Sequence, residues 1–209
     1  MAVLTLFGQA ATGSALAADA TGYTMAVQFS VSSSGVASAN VTGMWFYSPP
    51  GAVTLPQRIL IYTAPGRVVV ANQLASWSGA AGSGWVRAPF TVPPALTLGS
   101  SYKAAMAQTN LVNWYSATGA YWSTGPGAAG VTNGALTAVN NAGGDGGQDT
   151  FTTLVPSYPD TSFNASNYWV DPEVTTVPAP GGGAPDRHHH RTPSGRPGQA
   201  RNGGRGGVR

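Results

Sequence analysis

Asn113-Trp114-Tyr115 and Ala120-Tyr121-Trp122 crowd four aromatic side chains around Gly119. An aromatic face buries the apolar face of a sugar ring while its edge stays wet. Trp114, Tyr115, Tyr121 and Trp122 are therefore a candidate stacking platform for a glycan. The plainer reading is a hairpin whose alternate residues enter the core. Trp45, Trp85 and Trp169 lie within strand patterns and are expected in the core.

Ala142 to Asp149 reads AGGDGGQD. Asp145 and Asp149 there are a weak Ca²⁺ candidate, since oxygen-bearing side chains among glycines can wrap a hard cation. The loop has one copy, no ordered series of ligands and no terminal Glu, so a mobile glycine-rich loop is the plainer expectation and no cofactor is expected.

After Val177 the chain changes character. Residues 178–209 hold six arginines (Arg187, Arg191, Arg196, Arg201, Arg205, Arg209), one Asp and the run His188-His189-His190. Their only large apolar residue is Val208, too little to offset the entropy of ordering the segment. A disordered basic tail is expected, able to touch nucleic acid or another anionic surface weakly and in a salt-sensitive way. Adjacent histidines on such a segment bind divalent metals only weakly.

Catalysis has little to work with. Residues 1–177 contain no His, and the chain has no Cys. A Ser-His-Asp arrangement would need a histidine from the tail, which nothing holds in register. A paired-carboxylate site would need two of Asp19, Asp145, Asp149, Asp160, Asp171 and Glu173, and no spacing recommends a pair. The expectation is a protein that is not an enzyme.

The elements that must position these residues read as strands. Only 8% of the 209 residues are charged, with one Lys (Lys103) and one Glu (Glu173), which excludes long charged helices. Residues 1–177 carry four basic and six acidic side chains, so the pI near 9.5 belongs to the tail. Met25, Val27, Phe29 and Val31 alternate with Thr24, Ala26, Gln28 and Ser30, the period of a half-buried strand. Val36 to Tyr47 is a second long strand, apolar on both faces toward its end. Arg58 to Thr63 and Arg67 to Leu74 flank Ala64-Pro65-Gly66 as a hairpin. Gly84 to Val92 and Ser101 to Gln108 are expected to pair around Pro93-Pro94 and Gly99. Later candidate strands are 111–116, 120–123, 136–139, 150–154 and 167–170. Short strands with regular Gly/Pro punctuation predict an all-β fold, an antiparallel β-sandwich of immunoglobulin-like or jelly-roll-like type over residues 1–177.

Near the start, ALAADA (residues 15–20) resembles a signal-peptidase site. No Lys or Arg precedes it, and Gly8, Gln9, Thr12, Gly13 and Ser14 interrupt the apolar stretch. A first strand at Val3–Phe7 followed by a small-residue loop is expected instead. No apolar run approaches the roughly 18 residues that span a bilayer, so no membrane span is expected.

Three segments carry a family resemblance: Gly22 to Val31 with Val41-Thr42-Gly43-Met44-Trp45-Phe46-Tyr47; Gly84 to Phe90 with Leu96 to Tyr102; and Ser166-Asn167-Tyr168-Trp169-Val170-Asp171. Together they resemble a domain-of-unknown-function family of actinobacteria and their phages whose last strand reads SNYWVD, over roughly residues 3 to 175. Pro172-Glu173 follows that motif here, so the last strand is expected to be short or at an edge. The resemblance implies a structural protein of a phage virion, a minor tail or head-decoration protein. Its partners would be other virion proteins in a homo-oligomer or symmetric assembly, with attachment to a host cell-surface glycan. The alternative is a secreted carbohydrate-binding or adhesion module, with residues 1–17 as signal peptide. The family brings no catalytic residues with it.

Overall fold

In the computed structural model, which describes residues 1–180, the alternating apolar residues line the space between two antiparallel sheets. One sheet has five strands. Its order is β1 (Ala2–Leu4), β12 (Val170–Pro178), β3 (Val36–Ser48) and β6 (Gly84–Pro89), with short β7 (Ala95–Leu96) also on β3. The other has seven, in the order β5 (Val69–Leu74), β4 (Arg58–Ala64), β8 (Ser101–Gln108), β2 (Tyr23–Val31), β10 (Leu136–Ala138) and β9 (Val131–Asn133). β11 (Asp149–Thr152) joins the edge of β2 that β10 also uses. Apart from a 3-10 turn at Asn141–Gly143, no helix occurs among the described residues, and none is long and apolar enough to cross a membrane.

The alternation of β2 sorts its side chains as expected. Met25, Val27, Phe29 and Val31 join the main core, with Val41, Met44 and Phe46 of β3 and Val170 and Val174 of β12 facing them. The opposite face of the seven-stranded sheet is also covered. Ala26, Leu60, Tyr62, Ala105 and Ala107 form a second cluster under Val155 and Tyr158 of the segment between β11 and β12. The central strands of this sheet are therefore buried on both faces, which is why so few charged residues suffice.

Several expectations about strands are corrected. β6 and β8 do not pair: β6 lies on β3 and β8 lies between β2 and β4, in different sheets. The Pro93-Pro94 turn leads into β7, still on β3, and residues 97–100 then carry the chain across the sandwich to β8. Residues 111–116 and 120–123 form no strand, because their backbone groups bond to distant loops: the Trp122 N–H donates to the Ala165 carbonyl and the Ala17 N–H to the Tyr115 carbonyl. The last strand begins only at Val170 and runs nine residues in the interior of its sheet. Pro172 is tolerated because β1 pairs only with Val174, Thr175 and Thr176, so the missing N–H falls beyond that ladder.

Of the three tryptophans expected in the core, only Trp169 is buried. Trp45 and Trp85 alternate with Met44, Phe46 and Val86 and so stand on the outer face of their sheet, half-buried. There the Trp85 indole donates to the Ala11 carbonyl, and the Trp45 indole to Glu173 at 3.1 Å. Glu173 also accepts a two-pronged contact from Arg87 at 2.6 and 2.7 Å, which holds its carboxyl below the usual range.

Candidate functional site

The residues first suspected of chemistry are mostly structural. Trp114, Tyr115, Tyr121 and Trp122 are all buried. The two aromatic pairs do not form one platform. Trp114 packs on Phe46, whereas Tyr121 and Trp122 pack around Phe7 with Trp169. A buried indole offers little face to a sugar, so the four-residue platform is corrected to core packing; Tyr115 lines one surface cleft and Trp122 edges a separate, smaller one of about 280 Å³.

Asp145 and Asp149 are held apart by different networks. Asp149 is wholly buried. One carboxylate oxygen accepts the Tyr168 backbone N–H at 2.9 Å, and burial raises its pKa well above the usual carboxylate range. The neighbouring Trp122 indole offsets part of that rise without closing a hydrogen bond of ordinary geometry. Asp145 accepts the Tyr158 hydroxyl at 2.6 Å. No cluster of three His, Cys, Asp or Glu side chains occurs among the described residues, and the Ca²⁺ candidate has no converging ligand set.

The glycine-rich loop is pinned instead by Lys103. On the outer face of β8 this side chain is fully buried. Its ammonium donates to Thr150 Oγ1 at 3.0 Å and to the backbone carbonyls of Pro159 and Asp145. All three donors are used. Burial pushes its pKa down to about 8, against the pull of Asp145. The glycines allow the close approach: a side chain at Gly146, which has φ of +74°, would collide with the Asp160 carbonyl. The tail arginines Arg187, Arg191, Arg196, Arg201, Arg205 and Arg209 lie outside the described residues.

The surface feature with ligand-sized dimensions is a cleft of about 460 Å³. Four parts of the chain build it: Ala17 to Asp19 before β2, the paired strands β2 and β11 through Tyr23, Met25 and Phe151, the loop from Tyr115 to Gly119, and the loop from Phe163 to Tyr168. Tyr23, Tyr115, Tyr168 and Phe151 line it in a closed circuit of edge-to-face contacts. Their ring centroids stand 5.6 Å (Tyr23–Tyr115), 6.2 Å (Tyr115–Tyr168), 6.3 Å (Tyr168–Phe151) and 5.5 Å (Phe151–Tyr23) apart. Tyr115 and Tyr168 are buried, Tyr23 and Phe151 half-buried, and Phe163 projects at the rim, 68% exposed.

Asp19 ties the aromatic box together. Its Oδ2 accepts the Tyr23 hydroxyl and its Oδ1 the Tyr115 hydroxyl, both at 2.6 Å. Burial, together with Asp19, raises both phenol pKa values above their ordinary value, so the two rings stay protonated donors. A carboxylate has about four lone-pair positions, so after these two bonds Asp19 can still accept from a ligand.

The cleft's far wall is the SNYWVD motif and the turn before it. Asn164 and Ala165 take left-handed backbone, φ 52° and 43°. The turn is fixed where its carbonyls accept the N–H groups of Ala120 and Trp122, and where Ser166 Oγ donates to the Phe163 carbonyl at 2.7 Å. Gly119 makes room for the Asn164 amide, which would stand 2.7 Å from a Cβ there. Non-glycine residues in this region are held at a cost of about 1 kcal/mol or more and cluster at functional sites. Asn167 Oδ1 accepts the Trp169 N–H, Tyr168 lines the cleft, and Trp169, at φ 56°, turns into the core. Asp171 then accepts the N–H groups of Leu6 and Phe7, anchoring the segment that leads to Asp19. The motif is thus a loop that enters a strand, and each of its residues fixes the cleft or its surroundings.

Of the cleft residues, the sequence points to Tyr115 as a ligand contact and offers Asp19 only as one of six carboxylates with no pair among them. Tyr23 and Tyr168 lay in segments read as strand, and Asp19 in one read as a small-residue loop. The spacing Asp19 to Tyr23, one acceptor and one phenol at a strand entrance, was the available signal.

A family model described as domain of unknown function (DUF4082) matches residues 9–170. The chain belongs to that family, which agrees with the expectation of a domain of unknown function over nearly the same span. No curated protein and no solved structure matches it.

Proposed function

We propose that the chain is a non-enzymatic attachment protein whose sandwich holds a cell-surface saccharide in the Asp19 cleft. The observation that carries this reading is the box of Tyr23, Tyr115, Tyr168 and Phe151, closed on one side by a carboxylate with acceptor capacity left. Aromatic walls with a few convergent polar groups are what a sugar ring needs: apolar faces to cover its C–H groups and oriented acceptors for its hydroxyls. The volume, about 460 Å³, suits one or two sugar units. Asp19 is the only acid lining the cleft, so the second carboxylate of a glycoside hydrolase has no counterpart there.

The setting we propose is a phage virion, in which the protein serves as a minor tail or head-decoration protein. Assembly with neighbouring subunits is supported by the edge strand β5 and its approach, where Val68, Val69 and Leu74 are each more than half exposed. A secreted adhesion module would use the same cleft. Binding of the full chain to purified host cell-wall glycan tests the reading. Retention on the glycan that is lost in Phe163→Ala supports it; retention unchanged in Phe163→Ala and in Tyr23→Ala contradicts it. Labelling of purified particles by an antibody against the chain tests the virion setting, and particles without label contradict it.

A further inference from the structure

We propose that the saccharide taken by the Asp19 cleft carries a free ammonium group, as a glucosamine-type unit does, rather than a neutral or N-acetylated sugar. This rests on the glycan reading of the same cleft. Two independent features of the structure converge on it.

The first is uncompensated charge. Asp19 is half-buried among rings, and its carboxylate accepts only two neutral phenols. All four basic side chains within residues 1–180 are engaged elsewhere. Arg58 bonds Asn72, Arg67 pairs with Asp160, Arg87 with Glu173, and Lys103 is enclosed by Thr150, Pro159 and Asp145. Neither Arg, Lys nor His lines the cleft. A carboxylate in such a place favours a cation brought by the ligand over a neutral hydroxyl.

The second is the ring arrangement. Four aromatic rings in mutual edge-to-face contact, with a fifth at the rim, resemble the walls that surround organic ammonium groups, where ring faces supply negative potential. The two phenols that donate to Asp19 gain electron density from that bond, which deepens the potential over their rings. A neutral sugar would use the rings alone, whereas an amino sugar would use the rings and the carboxylate together. N-acetylation would remove the charge and leave a single neutral amide N–H for the Asp19 oxygens to accept, a weaker partner than an ammonium with three donors.

Calorimetric titration of the full chain with three oligosaccharides tests this: glucosamine oligomers, N-acetylglucosamine oligomers and neutral glucose oligomers. Glucosamine oligomers should bind about tenfold or more tightly than either of the others, the scale set by a desolvated cation on aromatic faces with a carboxylate beside it. Tetramethylammonium, a cation with no hydrogen-bond donor, should displace them in competition. Asp19→Asn keeps the shape and should abolish the preference. If that variant fails to fold, the competition arm decides. Equal or tighter binding of the acetylated or neutral oligomers, or failure of tetramethylammonium to compete, overturns the inference and leaves the glycan reading standing. Absence of binding by all three sugars overturns the glycan reading itself.

Discussion

Lys103→Met removes the one buried cation of the seven-stranded sheet and keeps roughly its shape. The substitution strands three acceptors: Thr150 Oγ1 and the carbonyls of Pro159 and Asp145. Bonds to a charged donor are worth about 1.5–3 kcal/mol each. Against them stands the desolvation that drops the lysine's pKa from 10.5 to about 8, at 1.36 kcal/mol per unit a penalty of about 3 kcal/mol. The net loss expected is about 1.5–6 kcal/mol, read by urea denaturation at pH 7 with unchanged m-value. The pH dependence carries the sign. Because the folded pKa lies below the unfolded one, the unfolded chain binds more protons between pH 8 and about 10, and linkage makes the wild type gain stability over that window. The variant lacks the gain, so the difference between the two should widen by up to about 2 kcal/mol before tyrosine ionisation intervenes. Equal stability of the two proteins at pH 7, or parallel pH curves, would refute the assignment of Lys103 as the pin of the glycine-rich loop.

Trp169→Ala should cost about 3–5 kcal/mol in urea denaturation, since the indole is buried against Phe7, Trp85 and Tyr121. Asp171→Ala should cost about 1–3 kcal/mol, because the N–H groups of Leu6 and Phe7 lose their acceptor. Burial raises Asp171 to about 7; the folded chain therefore holds a proton the unfolded chain has lost, and the wild type should lose stability as pH rises from about 4 to 7 in a way that Asp171→Asn does not. DNA binding by the full chain, measured by anisotropy, should be weak and should fall steeply between about 50 and 200 mM salt, because arginine contacts release counterions.

Period-two patterns were legible in the sequence wherever one strand face met the core, as in Met25, Val27, Phe29 and Val31. They could not say which sheet a strand joins, which is how β6 and β8 were expected to pair. The same patterns placed Trp45 and Trp85 inside because a large side chain was taken as core, although alternation with Met44, Phe46 and Val86 puts both outside. Pro172 suggests a short or edge strand because sequence alone does not show that the β1 ladder ends before it. The site was less legible still. Its aromatic box is assembled from Tyr23, Tyr115, Phe151 and Tyr168, residues far apart in the chain, and contacts of that separation leave no local periodicity. Trp114, Tyr121 and Trp122 drew attention because they are neighbours in sequence, and neighbours on a folded loop diverge to different parts of the core.

The most direct measurement of the central claim is the map of backbone amide shifts when the full chain is titrated with host cell-wall oligosaccharide. Saturable shifts concentrated at Asp19, Tyr23, Phe151 and Phe163 to Tyr168 are the result expected of a saccharide held in the cleft. Saturable shifts confined to β5 and its approach, with those residues unmoved, would contradict it.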